Sequence, residues 1–261
     1  MKRLLLVLLF CGCPERAQPE RGLALTYKKP DGFSDLRSVV DRRLAYLKLT
    51  AKLSEDDQRL TVRLPGGGDV EKIKALLALS GELKFCEEDA NFSQRWCERE
   101  WPATIEVDRA GDSSCGLAST KRETIQDAVG DAGVTLAFQK IDARITGFAL
   151  RTGNCVSPHI VGVEQRSDPM PSLMLDFDKQ SASDFNALTA RVVKRRLLIL
   201  IDGDVQSAPV VQEALTGRSA MLVLGNAKNG DLLAAALAGG TLPKLELEKE
   251  GRYGPPSLSG K

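Results

Sequence analysis

Histidine, aromatic residues and long apolar runs are all scarce in this 261-residue chain. The single histidine, His159, excludes a metal centre built from several imidazoles of one chain and removes most histidine-based acid–base schemes. Aromatic residues amount to 5%. An excess of positive charge is missing too: 36 Lys and Arg face 35 Asp and Glu, and loss of Lys2 and Arg3 with a leader would leave 34 against 35. That balance argues against a nucleic-acid binder, which needs a basic stripe to displace counterions. No run approaches the roughly 20 apolar residues a spanning helix requires. The only uninterrupted stretch near the start, Leu4–Phe10, has seven.

Lys2 and Arg3 before that short run, followed by Cys11-Gly12-Cys13 and a polar Pro-containing stretch, have the form of a secretory leader. Gly12-Cys13 resembles a bacterial lipoprotein cleavage box, which assigns 1–12 to a lipoprotein signal peptide and Cys13 to lipidation. A plain secretory leader cut elsewhere is the alternative, since Phe10 and Cys11 depart from the usual box. Residues 13–22 then read as a solvated tether, about 30 Å when extended. Pro14 stands where some bacteria use Asp to retain lipoproteins at the inner membrane, so either membrane of the envelope is open.

The remainder reads as α+β. Leu23–Tyr27 suggests a strand, and Ser34 is expected to cap a helix carrying Leu36, Val39, Val40, Leu44 and Leu47 at helical spacing. Strands at 49–53 and 60–64 flank the polar turn 55–58 as a hairpin. After Gly66-Gly67-Gly68, Asp69 caps a second helix, and a strand follows at 82–86. This is a βαββαβ order over a first base half, 23–88. A second half, 168–261, repeats the rhythm: strand 172–177, a helix opened by Ser181-x-x-Asp184, and strands around Asp202-Gly203, the strongest short hairpin signal in the chain. Strand 220–224, helix 232–237 and strand 245–247 complete it. Between the halves, 89–167 holds both tryptophans, a helix near 121–132 and strands near 135–139 and 145–150. It is expected to be an inserted small α+β head subdomain.

The segment from Leu198 through Asp202, Gly203, Ser207, Ala208 and Pro209 to Gln212 resembles the signature hairpin of SecD, an accessory subunit of the bacterial protein translocase. Leu64-Pro65-Gly66, Pro158-His159-Ile160-Val161-Gly162, Ala238-Gly239-Gly240-Thr241-Leu242-Pro243 and Gly254-Pro255-Pro256-Ser257-Leu258 fall in the order found in that family. The resemblance spans 23–258, is strongest from 172 onward, and corresponds to the family's first periplasmic domain. It implies a ferredoxin-like base built from N- and C-terminal halves with an inserted head. It does not carry over the intramembrane residues thought to couple proton flow in SecD. Heads of this family are thought to capture emerging preproteins, so Trp96 and Trp101 become interaction candidates, with unfolded exported polypeptides and Sec translocase subunits as implied partners.

Other chemistry is weighed on the residues. Cys86, Cys97, Cys115 and Cys155 are an even set in an oxidising compartment, which favours two disulfides among three connectivities. Nearest-neighbour pairing, Cys86 with Cys97 and Cys115 with Cys155, is the expectation. A zinc site lacks any Cys-x-x-Cys pair. A Cys155–His159 dyad can be drawn, but a Pro-containing loop rarely holds that geometry. Asp176 and Asp178 share a face if their segment is a strand, and read better as its wet side than as an acid–base pair. The triple glycine lacks a Walker lysine and reads as a turn. Arg191, Lys194, Arg195 and Arg196 complement a helix C-terminus; a phosphate or lipid-headgroup site is the sharper alternative. The reading is therefore a non-enzymatic, periplasm-facing lipoprotein accessory to protein export, with no cofactor, no metal and no nucleic-acid partner. An envelope scaffold unrelated to the translocase is the alternative, and a thiol enzyme a third.

Overall fold

In the computed structural model, residues 21–111, 114–130, 133–168, 170–224 and 229–254 are described. The expected leader, Cys13, nearly all of the tether and residues 255–258 of the C-terminal motif lie outside them. Six helices and fourteen strands appear among the described residues, arranged in three sheets.

The first sheet is the base. Strands β1 (Gly22–Lys28), β2 (Lys52–Glu55) and β3 (Arg59–Pro65) join β14 (Glu246–Tyr253) in the antiparallel order β14-β1-β3-β2. Helices α1 (Leu36–Tyr46), α2 (Val70–Ala78) and α6 (Gly230–Gly239) cover one face. Leu25, Tyr27, Leu60, Val62 and Leu64 from the strands interlock there with Leu36, Val40, Leu44, Ile73, Leu76 and Leu77 from the helices. Asp69 caps α2 as expected, its carboxylate accepting from the Lys72 amide at 3.1 Å. Helix α1 begins one residue later than Ser34 suggested, with Asp35 at the cap and no side-chain cap bond.

The base is built from both ends of the chain, but its fourth strand is not the one the βαββαβ order indicates. β4 (Leu83–Glu88) leaves the base, and β14 takes the place beside β1. Their compositions explain the exchange. β14 alternates Glu, Lys and Arg and suits an edge facing water, whereas β4 is buried on both faces and suits the middle of a sheet.

β4 lies in the second sheet, of seven strands. Its neighbours are β11 (Leu197–Ile201) and β8 (Arg144–Val156), with β12 (Asp204–Ser207) beyond β11. β5 (Glu106–Ala110), β6 (Ser114–Ser119) and β7 (Thr135–Ile141) complete it. Helices α3 (Ala90–Glu98) and α4 (Arg122–Val129) close over one side of it. A third sheet has the order β13 (Ser219–Val223), β10 (Ser172–Phe177), β9 (Ile160–Arg166). Helix α5 (Lys179–Arg191) packs Phe185 and Leu188 into the core that this sheet shares with β4 and β11. Both expected limits of the insert, 88/89 and 167/168, fall inside sheets: the first separates β4 from β5–β8, and the second separates β9 from β10. Helix α5 also starts earlier than its sequence box suggested. Asp178, not Ser181, is the cap, and it accepts from the Ser181 amide at 2.8 Å.

Candidate functional site

The Asp202-Gly203 turn closes β11 and β12 with φ of 54° and 87°, the left-handed pair that a two-residue hairpin of this twist requires. Asp202 does more than turn the chain. Its carboxylate accepts from the Ser80 amide at 2.9 Å, the Ser80 hydroxyl at 2.8 Å and the Glu82 amide at 2.9 Å, which fixes the hairpin tip to the α2–β4 connection. Ser207 ends β12 opposite Ile199, and Ala208 leans on the interior cluster around Phe148 and Leu198. The Pro209 carbonyl then accepts from the Leu197 amide at 2.9 Å, and Val211 exchanges backbone bonds with Lys194 and Arg195. Residues 209–211 thus prolong the edge of the second sheet after the hairpin itself has ended.

Between this prolonged edge and β13 lies a cavity of about 390 Å³. Phe85, Leu175, Phe185, Leu197 and Ile199 line it, and Leu215 and Met221 border it, exposed to 42% and 57%. Among the described residues β13 pairs with β10 alone, so the cavity is flanked by strand edges on both sides. An apolar trough between strand edges has the chemistry to take an extended polypeptide: backbone groups at the sides and a greasy floor for alternate side chains.

The cysteines form two disulfides, with a connectivity that overturns nearest-neighbour pairing. Cys86 joins Cys155 across β4 and β8, and Cys97 on α3 joins Cys115 on β6. The two faces of the sheet decide this. Cys86 and Cys155 belong with Phe148 and Leu198 on one side, while Cys97 and Cys115 belong with Leu117 and Ala149 beneath α3. Bonded to Cys86, Cys155 offers no thiol to His159, so the drawn dyad does not form. His159 itself is an exposed loop residue. Its amide donates to Ser181 Oγ at 2.8 Å, and its Nδ1 lies 3.1 Å from Asp178.

The basic cluster after α5 has a partner that the sequence pattern did not reveal. Arg195 donates to Glu87 at 2.9 Å, while Arg151 and Arg191 stand at 3.9 and 4.0 Å from the same carboxylate. Arg196 is buried over the Phe148 ring, donates to Ser114 Oγ at 3.1 Å and pairs with Asp108 at 3.2 Å. Glu88 accepts from Ser93 at 3.0 Å and from Ser114 at 2.6 Å. Burial pushes the Glu88 carboxyl above its ordinary range, opposed by those two hydroxyls and then by Arg196 and Arg195. Of the four cations only Lys194 lies away from the carboxylates, donating to Gln212 at 3.2 Å.

Trp96 does not lie on a contact surface. It is 4% exposed in the core beneath α3, and its carbonyl accepts from the Trp101 indole at 3.0 Å. An amphipathic helix buries its apolar stripe, and Trp96 is on that stripe with Ser93 and Cys97. Trp101 is half-buried, with the Arg99 guanidinium 4.5 Å above its ring. Asp176 and Asp178 are parted by function: Asp176 accepts from Ser219 Oγ on β13, and Asp178 caps α5. The Ser181 amide, foremost, holds the Asp178 carboxyl below its usual range. The triple glycine is a turn, with φ of 68°, 92° and 38°.

Arg43, unmarked in the sequence pattern, anchors the base. It is fully buried, and its guanidinium donates to the carbonyls of Leu76, Leu79, Ser80 and Gly240 at 2.5–3.2 Å. It thus satisfies the open carbonyl ends of α2 and α6 together. Burial lowers its pKa to about 10 against the opposing pull of Asp202. The motif around Gly239 follows: a Cβ there would meet Arg43 Cγ at 2.3 Å.

Residues 148–244 match the family model of the SecDF P1 head subdomain, a stretch that includes the Asp202 hairpin and all of the apolar trough except Phe85. It overlaps the expected insert only at 148–167. SecD of Acidaminococcus fermentans is 33% identical over 132 residues, which are 50% of this chain and 31% of that protein. SecD of Magnetococcus marinus is 24% identical over 260 residues, 92% of this chain and 44% of that protein. The chain spans less than half the length of these two relatives. A solved structure of SecDF, described as a membrane component that enhances protein export, superposes with a TM-score of 0.55 at 18% identity, over 87% of this chain and 98% of that one. That likeness establishes the fold. No helix among the described residues is long and apolar enough to cross a membrane. In sequence and in fold, this chain is similar to the periplasmic P1 domain of the SecD translocase subunits.

Proposed function

We propose that the protein faces the periplasm and assists protein export without catalysing a reaction, by holding extended segments of exported polypeptides. The observation that carries this reading is the trough between residues 209–211 and β13, with its apolar floor and two flanking strand edges. A bound segment would lie as an added strand, contributing backbone bonds to the edges and side chains to the floor. The contact falls in the 148–244 segment, not at the tryptophans.

Attachment through a lipid on Cys13 completes the proposal, with Sec translocase subunits as neighbours. It is supported by the Gly12-Cys13 pair behind the short apolar run.

A photo-activatable cross-linker at Met221 should capture exported polypeptides in intact cells during secretion, while one at Ser38 on α1 should not. Equal capture at both positions, or capture of another envelope protein alone, would replace this reading with the envelope-scaffold alternative. Radiolabelled palmitate should enter the chain and be lost in Cys13→Ser.

A further inference from the structure

The base sheet has a second face, opposite its helices. Because Leu25, Tyr27, Leu60 and Val62 point into the helical core, alternation sends Ala24, Thr26, Thr61 and Ser54 to the other side. These short side chains leave the middle of the face low and flat. Lys28, Lys52, Arg59, Arg63 and Lys249 stand around them, all exposed. The strand carboxylates on this side are Glu246, opposite Lys28, and Glu248, which accepts from Arg59 at 2.8 Å. Five cations stand on this face against two strand carboxylates, with the turn acids Asp56 and Asp57 at one end.

The charges are also graded. Glu246, Glu248 and the turn acids Asp56 and Asp57 gather at the end where Lys28 and Arg59 pair. At the other end Lys52 and Arg63 stand directly opposite each other, and Arg63 is held over the Tyr253 ring at 5.9 Å. That cationic corner is where the chain enters the fold at Gly22.

We infer that this face rests on a bilayer through anionic phospholipid headgroups, cationic corner foremost. A flat face carrying long cationic side chains and no large aliphatic ones complements a plane of phosphates. It offers no apolar patch for a protein interface to bury. Basic residues within a Debye length of an anionic leaflet are attracted with energies that add over the cluster. The inference is independent of the trough's polypeptide and needs no lipid on Cys13.

The test uses the full chain carrying Cys13→Ser, sedimented with vesicles of phosphatidylcholine alone or with about one third phosphatidylglycerol. Binding should require phosphatidylglycerol and weaken as salt is raised to screen the face. The double variant Lys52→Glu, Arg63→Glu should bind more than about tenfold more weakly, and Lys52→Arg, Arg63→Lys should restore binding. The exposed Lys249→Gln, which leaves β2 and β3 untouched, offers a milder check and is expected to lose affinity about threefold or more. Lys179→Glu on α5, remote from the sheet, should leave binding unchanged. Equal binding to neutral vesicles, indifference to the double reversal in folded protein, or an equal loss from Lys179→Glu would overturn the inference.

Discussion

The base and the seven-stranded sheet solve the same problem of closing a chain on itself by different means. The base has no cysteine. Its α2 and α6 ends are gathered by one fully buried guanidinium whose donors meet four backbone carbonyls. The seven-stranded sheet has two disulfides and a partly buried set of carboxylates and arginines, with Glu87 and Glu88 side by side on β4. A buried charge is tolerated in both only because its hydrogen-bonding groups are met. The contrast teaches where each region is vulnerable: the base depends on one side chain, whereas the sheet has covalent bonds that survive loss of any one polar partner.

The sharpest way to break that contrast is Arg43→Ala. It takes the guanidinium donors from the carbonyls of Leu76, Leu79 and Gly240 and leaves Ser80 with the Leu242 amide alone, and a loss of about 3–5 kcal/mol is expected in denaturant unfolding. Replacing Cys86 and Cys155 by Ser opens a loop of sequence separation 69 and should cost about 4 kcal/mol, while replacing Cys97 and Cys115, separated by 18, should cost about 3 kcal/mol. If Arg43→Ala cost less than either pair, the base would not depend on its guanidinium as described. Gly239→Ala forces a methyl group against Arg43 and should cost about 1–3 kcal/mol.

The smallest effect separates the regions by pH. Because burial raises the Glu88 pKa, the folded protein holds that proton more tightly than the unfolded chain does. Its contribution therefore favours folding below the ordinary value of 4.5 and is lost as pH rises through the folded pKa. Relative to wild type, Glu88→Gln should show a smaller fall in thermal midpoint between acid and neutral pH. An identical pH profile would mean that Ser93, Ser114 and the arginines fully offset the desolvation.

Much of the fold was legible because period and punctuation are local properties. Asp69 announced α2, Asp202-Gly203 announced a hairpin, and the alternation of Leu60, Val62 and Leu64 announced β3. The misreadings share a different cause. Ser181-x-x-Asp184 looked like a capping box because the competing cap, Asp178, lay in what read as strand. Trp96 was an interaction candidate through the family resemblance alone, which does not say which way its helix turns. Arg43 stood unmarked among apolar positions, although Gly81 and Gly239, both crowded by its side chain, were visible signals of a close approach. The trough was illegible for a simpler reason: its floor comes from β4, β10, α5 and β11, which are distant in the chain.

By itself the sequence determined a mixed α+β chain, its hairpins, the resemblance to a translocase subunit and an even set of cysteines. These follow from residues within a few positions of one another. The tertiary structure alone decided which cysteine met which, that β14 and not β4 would complete the base, that the basic run after α5 would close on Glu87 and Asp108, and that two sheet edges would leave a trough. Each of those depends on which faces are buried together, and burial is a property of the whole packed chain.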